Sequence, residues 1–244
     1  MNQQTQASPE LALVTGATSG IGRAVAMRLA SEGLEVIVHG RNAERGTATV
    51  RAIKAAGGIA RFLAADLADA DDVARLAEEA GDVDVLVNNG GFSWFGPTAE
   101  LDTTTFDALF ASNVRSAHQL VAALAPGMAS RGHGSIVSLD SMAGHVGLAG
   151  GAAYGATKAA LSALSRAWAA EFSPAGVRVN TVAPGPVYTA GASEERIAQL
   201  GKTTLMGRAA EVEEIAEVIA FVASNRASYI TGAVIAVDGG RTAV

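Results

Sequence analysis

Short runs of apolar, mostly β-branched residues alternate along this chain with longer stretches whose apolar positions recur every three to four residues. The short runs read as strands covered on both faces and the long ones as amphipathic helices. Strands are predicted at Leu11–Thr15, Glu35–His39, Ala60–Ala64, Val83–Asn88, Ser135–Leu139, Arg178–Ala183 and Val234–Val237. Helical patterns fill most gaps, among them Arg23–Glu32, Asp69–Glu79 and Thr103–Ala129. This alternation marks parallel βαβ units. The expected class is therefore α/β, a Rossmann-type, doubly wound, seven-stranded parallel sheet with helices on both faces. No repeat or low-complexity linker divides the 244 residues, so one domain is expected, with a flexible start at 1–9.

Composition narrows the function classes. Hydrophobic residues make up 49% of the chain and aromatics only 5%, so Ala, Val, Leu and Ile must build the core. A net charge of −6 without a basic block leaves no footprint for a phosphate backbone, and nucleic acid is excluded as a partner. The absence of Cys excludes disulfides, thiolate metal sites and cysteine nucleophiles. His39, His118, His133 and His145 lack ligand spacing, so no metal is expected. Met1–Glu10 is polar and no apolar run reaches the ~18 residues of a membrane span. A cytoplasmic protein with no membrane partner is the default. No Ser stands in Gly-x-Ser-x-Gly, which argues against a hydrolase of that type.

The first predicted strand runs into Thr15-Gly16-Ala17-Thr18-Ser19-Gly20-Ile21-Gly22 and then a helix. Glycines there allow close backbone approach, and the helix N-terminus offers unpaired N–H groups and a positive dipole end, a combination suited to a pyrophosphate. The spacing departs from Gly-x-Gly-x-x-Gly, and an ordinary glycine turn is the alternative. After the second strand, Gly40 stands where a ribose-binding carboxylate would be expected and Arg41 follows. Arg41 either pairs with a 2′-phosphate, favouring NADP(H) over NAD(H), or is a solvated helix-start residue. Asp66, before Leu67, either accepts a hydrogen bond from an adenine amino group or caps a helix. Asn88-Asn89-Gly90-Gly91 closes the fourth strand as a thin cofactor-side wall or as plain architecture. Phe92, Trp94 and Phe95 follow; they either line a substrate site or send at least one ring into the core.

Tyr154 and Lys158 are four residues apart, on one face of a helix if that helix forms. With three tyrosines and three lysines in the chain, this spacing arises by chance with an expectation of about 0.04. An ammonium ~4 Å from a phenol supplies ~4 kcal/mol at an effective dielectric of ~20, enough to lower its pKa by roughly three units. Tyr154 then exchanges a proton with a substrate oxygen while hydride passes to or from a cofactor, and Ser141 holds the same oxygen. The intervening glycine-rich segment lets the chain fold back so that Ser141 approaches, and His145 within it is either solvated or faces substrate.

With Thr-Gly-x-x-x-Gly-Ile-Gly and Tyr-x-x-x-Lys in place, nearly the whole chain resembles the short-chain dehydrogenase/reductase family, including its 3-oxoacyl carrier-protein reductases. The resemblance implies a catalytic set of Asn113, Ser141, Tyr154 and Lys158, with Asn113 helping to hold a proton-relay water and Lys158 also binding the nicotinamide ribose. It assigns cofactor contacts to Gly16, Thr18, Ser19, Gly20, Ile21, Gly22, Arg41, Asp66, Leu67, Asn88 and Gly90. Pro184, Gly185, Val187 and Thr189 fall beside the carboxamide and phosphate. Trp94, Phe95, His145 and Tyr188 are the substrate-side candidates, and residues 190–206 correspond to a substrate lid. A homotetramer is implied by the final strand. Departures include Gly90 for Ala, Asp140 for a Ser before Ser141, and Val212 for Pro. The resulting expectation is hydride transfer between NADP(H) and a ketone or secondary alcohol. The alternatives are a 3-oxoacyl carrier-protein reductase, against which Ala175 speaks by replacing a docking base, and a non-catalytic NADP-binding sensor or scaffold.

Overall fold

The computed structural model describes residues 9–189 and 193–243. The expected flexible start therefore lies outside the described residues except for Pro9, as do the first three positions of the expected lid. The elements run β1 (Leu11–Val14), α1 (Gly20–Ser31), β2 (Glu35–Gly40), α2 (Ala43–Ala55), β3 (Ile59–Ala64), α3 (Ala70–Ala80) and β4 (Val85–Asn88). Then follow α4 (Thr103–Phe110), α5 (Ser116–Arg131), β5 (Gly134–Leu139), α6 (Ala152–Phe172), β6 (Val177–Pro184), α7 (Glu194–Gly201), α8 (Val212–Ala223) and β7 (Val234–Val237). The seven strands form one parallel sheet in the order β3-β2-β1-β4-β5-β6-β7. The order reverses between β1 and β4, which opens a crevice beyond their C-terminal ends.

Both sheet faces are apolar, as continuous strand runs such as Val36-Ile37-Val38 require. Val14, Val38, Val87, Val137 and Val182 pack under α1 and α8, while Leu13, Ile37, Leu86, Ile136 and Val179 pack under α3, α5 and α6. Small residues on α1 (Ala26, Ala30) and α8 (Ala216, Ala220) let those helices lie close together. Among the described residues no helix is long and apolar enough to cross a membrane.

Three local expectations are corrected. The pattern Thr103–Ala129 is not one helix, because a π-helical turn spans Ala111–Arg115 between α4 and α5. Its added residue per turn carries Asn113 inward, where the side chain bonds the backbone N–H and carbonyl of Phe92 and donates to the Thr157 hydroxyl. The cap of α3 is Asp69, whose carboxylate accepts from the N–H groups of Asp71 and Asp72; Asp66 instead accepts from Ala68 N–H. None of Phe92, Trp94 and Phe95 joins the core. Trp94 folds over Gly96, and Phe92 and Phe95 stay about 40% exposed beside the crevice.

Candidate active site

The crevice at the β1/β4 reversal is a cleft of about 850 Å3. One end is built by the turn after β1. Thr15 Oγ1 donates to the Val87 carbonyl at 3.2 Å and accepts the N–H groups of Asn89 at 3.0 Å and Gly90 at 2.8 Å. Asn89 returns its amide to the carbonyls of Thr15 (2.7 Å) and Gly16. The turn then tucks under α1 so closely that a Cβ at Gly22 would lie 2.4 Å from Gly16 O and 2.3 Å from Asn89 Nδ2. Only glycine fits there. Ser19, at the N-cap of α1, makes no side-chain cap bond, so the first-turn N–H groups stay available at the cleft wall.

His39, which carried no assigned role in the sequence, secures this turn. Its Nδ1 accepts the Gly16 N–H at 3.2 Å while Nε2 lies 3.1 Å from the Ala65 carbonyl, which requires the neutral Nε2–H form. Burial pulls its pKa down to about 4, opposed by the Ala65 hydrogen bond. Next to it, a Cβ on Gly40 would meet Thr18 Cγ2 at 2.5 Å, so any side chain at this position requires the Thr18 side chain to move. Arg41 and Arg45 line the same end, Arg41 lying 3.9 Å from Asp66. Arg45 was not singled out in the sequence, although its spacing four residues after Arg41 was a signal.

At the other end α6 carries Tyr154 and Lys158 into the cleft beside Ser141. Lys158 is buried, donates to the Leu139 carbonyl at 2.6 Å, and sits 5.8 Å from the centre of the Tyr154 ring. Burial lowers the Lys158 pKa to about 8, while the charge of Asp140 raises it. The Tyr154 phenol is not lowered, contrary to expectation. Burial pushes it up; the Ser141 hydroxyl pulls it down, and the field of Asp140 pushes it up further. Lys158, whose charge that expectation invoked, is itself desolvated and turned to the Leu139 carbonyl.

Asp140 forms a buried node beneath this end. Its Oδ2 accepts from Ser162 Oγ at 2.5 Å and lies 2.6 Å from His145 Nε2, while Oδ1 has no partner among the described residues. His145 is therefore turned to Asp140 and does not line the cleft, and Tyr188 and Trp94 do not line it either. Phe95 does, its ring 5.5 Å from that of Tyr154. Asn113 and Asn88 also lie off the cleft wall. Asn113 braces the loop after β4, and Asn88 is buried in register with Ser138 on β5. The remaining expected cofactor residues, from Thr18 and Ile21 through Leu67 and Gly90 to Pro184, Gly185, Val187 and Thr189, all line the cleft. On the side of α7, Ser193, Arg196, Ile197 and Leu200 complete the wall. Among the described residues no three His, Cys, Asp or Glu side chains gather as a metal site.

The family model described as Enoyl-(Acyl carrier protein) reductase matches residues 16–242. The cis-4-hydroxycyclohexanecarboxylate dehydrogenase of Sinomonas cyclohexanicum is 39% identical over 96% of this chain and 97% of its own. A solved short chain dehydrogenase/reductase family protein is 49% identical, covers 96% of this chain and 98% of its own, and superposes with a TM-score of 0.90. The crystal structure of a 3-oxoacyl (acyl-carrier-protein) reductase from Agrobacterium tumefaciens C58 with NADP bound is 32% identical, covers 98% and 100%, and has a TM-score of 0.90. With this sheet order, this glycine turn and these matches along almost its full length, the chain belongs to the short-chain dehydrogenase/reductase family of oxidoreductases.

Proposed function

We propose that the protein transfers a hydride between NADP(H) and a ketone or secondary alcohol, with Tyr154 as general acid and base. The observation that carries this reading is one cleft with the glycine turn and α1 N-terminus at one end and Ser141, Tyr154 and Lys158 at the other. The uncapped first turn of α1 fits a pyrophosphate. Arg41 and Arg45, beside a Gly40 that carries no carboxylate, fit a 2′-phosphate. The NADP bound to the Agrobacterium reductase supports the same choice.

When bound, the nicotinamide supplies or accepts the hydride. The chain's own residues handle the oxygen and its proton. Ser141 Oγ holds the substrate oxygen, and the Tyr154 phenol gives it a proton in reduction and takes one back in oxidation. Lys158 contributes positive charge that favours phenolate and would hold the nicotinamide ribose. Asn113 ties the Phe92 segment to α6 through Thr157, which fixes one wall relative to Tyr154. Asp66 and Leu67 would lie beside the adenine, and Val187 and Thr189 beside the carboxamide.

A 3-oxoacyl carrier-protein reductase is less well supported. Ala175 offers no docking charge, and Arg131 is held by Asp82 at 2.8 Å and Asp84 at 3.7 Å. Assembly as a homotetramer is supported by the open edge of β7 and by exposed Phe106, Phe221 and Tyr229. A cytoplasmic location accords with the absence of Cys. The test is turnover of a panel of ketones, acyl thioesters, polyols and 4-oxocyclohexanecarboxylate, with both cofactors, by wild-type and Tyr154→Phe protein. Tyr154→Phe is expected to lose turnover by at least 100-fold and keep NADPH affinity. Substantial residual rate would refute Tyr154 as the acid, and NADPH binding without turnover of any panel member would favour a sensor.

A further inference from the structure

The cleft wall on the side of α7 carries a charge that hydride and proton transfer do not use. Ser193, Arg196, Ile197 and Leu200 follow the i, i+3, i+4, i+7 rule and line the cleft, Ser193 from the cap of α7. Arg196 is the one cation on that face. Within α7 the residues three and four positions on are Gln199 and Leu200, and the cap three positions back is Ser193, none of them acidic. Among the described residues no carboxylate comes within 4.0 Å of it. Of the other charges on the wall, Lys158 faces the Leu139 carbonyl and Asp140 faces His145 and Ser162, while Arg41, 3.9 Å from Asp66, and Arg45 stand at the glycine-turn end.

The Arg196 guanidinium lies 5.4 Å from the centre of the Phe95 ring, and that ring is 5.5 Å from the ring of Tyr154. The wall therefore reads phenol, aromatic platform, cation, with Leu148, Ile197 and Leu200 as apolar neighbours. A contact with the ring does not use up the planar N–H fork of a guanidinium, which takes a carboxylate through two hydrogen bonds. The two ring contacts bound the distance from guanidinium to Tyr154 ring at about 11 Å.

The geometry points to a substrate that is an oxo- or hydroxy-carboxylic acid, held by Arg196 through a carboxylate several carbons from the reacting carbon, its hydrocarbon body lying on Phe95. This deepens the proposed function and rests on it. It also separates the substrate from carrier-bound 3-oxoacyl thioesters, whose carboxyl carbon is esterified.

The test compares 4-oxopentanoate, 5-oxohexanoate and 7-oxooctanoate with their methyl esters, using NADPH. Wild-type protein is expected to favour at least one acid over its ester by tenfold or more in kcat/KM, mainly through KM, and the preference should shrink with added salt. Arg196→Ala should collapse the acid-over-ester ratio toward one, and Arg196→Lys should restore part of it. Equal rates for acids and esters in the wild type, or a ratio unchanged in Arg196→Ala, would overturn the proposal and leave the oxidoreductase reading standing. If no oxo compound turns over, that reading fails, and calorimetric titration of hexanoate into the NADPH complex decides this one. Binding lost in Arg196→Ala sustains it, and no binding overturns it.

Discussion

Replacing Lys158 by Met should make the protein more stable while abolishing turnover. At neutral pH the buried ammonium is held in a site that lowers its pKa from 10.5 to about 8. That shift of about 2.5 units corresponds to ~3.4 kcal/mol at ~1.36 kcal/mol per unit, acting against the folded state. The sign follows from proton counting. Below pH 8 both states carry the proton and the folded state bears the full penalty; from pH 8 to 10.5 the folded state releases it first, so stability climbs with pH. Methionine removes the charge and keeps most of the volume, but it strips the 2.6 Å hydrogen bond from the Leu139 carbonyl. Leaving that oxygen unpaired costs ~1–3 kcal/mol, so a net gain of ~0.4–2.4 kcal/mol remains at pH 7. For a chain of this length that is a rise of about 1–10 °C in Tm. Urea unfolding without cofactor, at pH 7.0 and 9.5, measures it: the variant's advantage should shrink by ~2 kcal/mol at the higher pH, where the wild type has shed its proton. A variant no more stable than wild type at pH 7, with a gap indifferent to pH, would show that the ammonium is not desolvated and refute the reasoning.

The field of Asp140 raises the Lys158 pKa, so Asp140→Asn should move the alkaline limb of the kcat/KM profile to lower pH; an unmoved limb would mean the carboxylate acts only through packing. His39, lowered to about 4 from 6.5, contributes stability that is complete above pH 6.5 and lost as pH falls through 4, up to ~3.4 kcal/mol. Unfolding of wild type and His39→Gln across pH 4–7 should show the difference between them narrowing toward acid. Arg41→Ala should raise the KM for NADPH at least tenfold and that for NADH less than twofold, measured in steady-state assays with each cofactor; equal effects would place the 2′-phosphate elsewhere.

Much of the sheet could be read from the chain because all seven strands are short apolar runs between helical patterns, and Val234–Val237 matches the expected limits. Boundaries moved where side chains intervene. Asp84 caps the start of β4 by accepting the Leu11 N–H, so that strand begins at Val85 and not Val83. Asn113 reads as a poor helix residue; its inward turn depends on Phe92 and Thr157, 21 and 44 residues away, which no local pattern reports. His145 stands in a loop that suggests the opening, yet its partner is a carboxylate buried five residues earlier. Spacing along α6 brings Tyr154 and Lys158 together, but the raised phenol comes from burial and from Asp140, which are properties of the assembled interior.

The tie between Thr15 and the Asn89-Gly90 pair also sets an order of events in folding. Its three hydrogen bonds join positions more than 70 residues apart, across a β1/β4 pairing that can form only after two intervening strand–helix units have been made. Contacts of such long sequence separation are among the slower to form. A nascent chain that ends before residue 90 therefore holds the glycine turn and α1 but has nothing to clamp them, and it should gain neither shape nor affinity from dinucleotide. Once the clamp closes, ligand can bind the native state alone and draw the equilibrium toward it, so supply of dinucleotide during synthesis would influence the yield of folded protein as well as its rate of turnover.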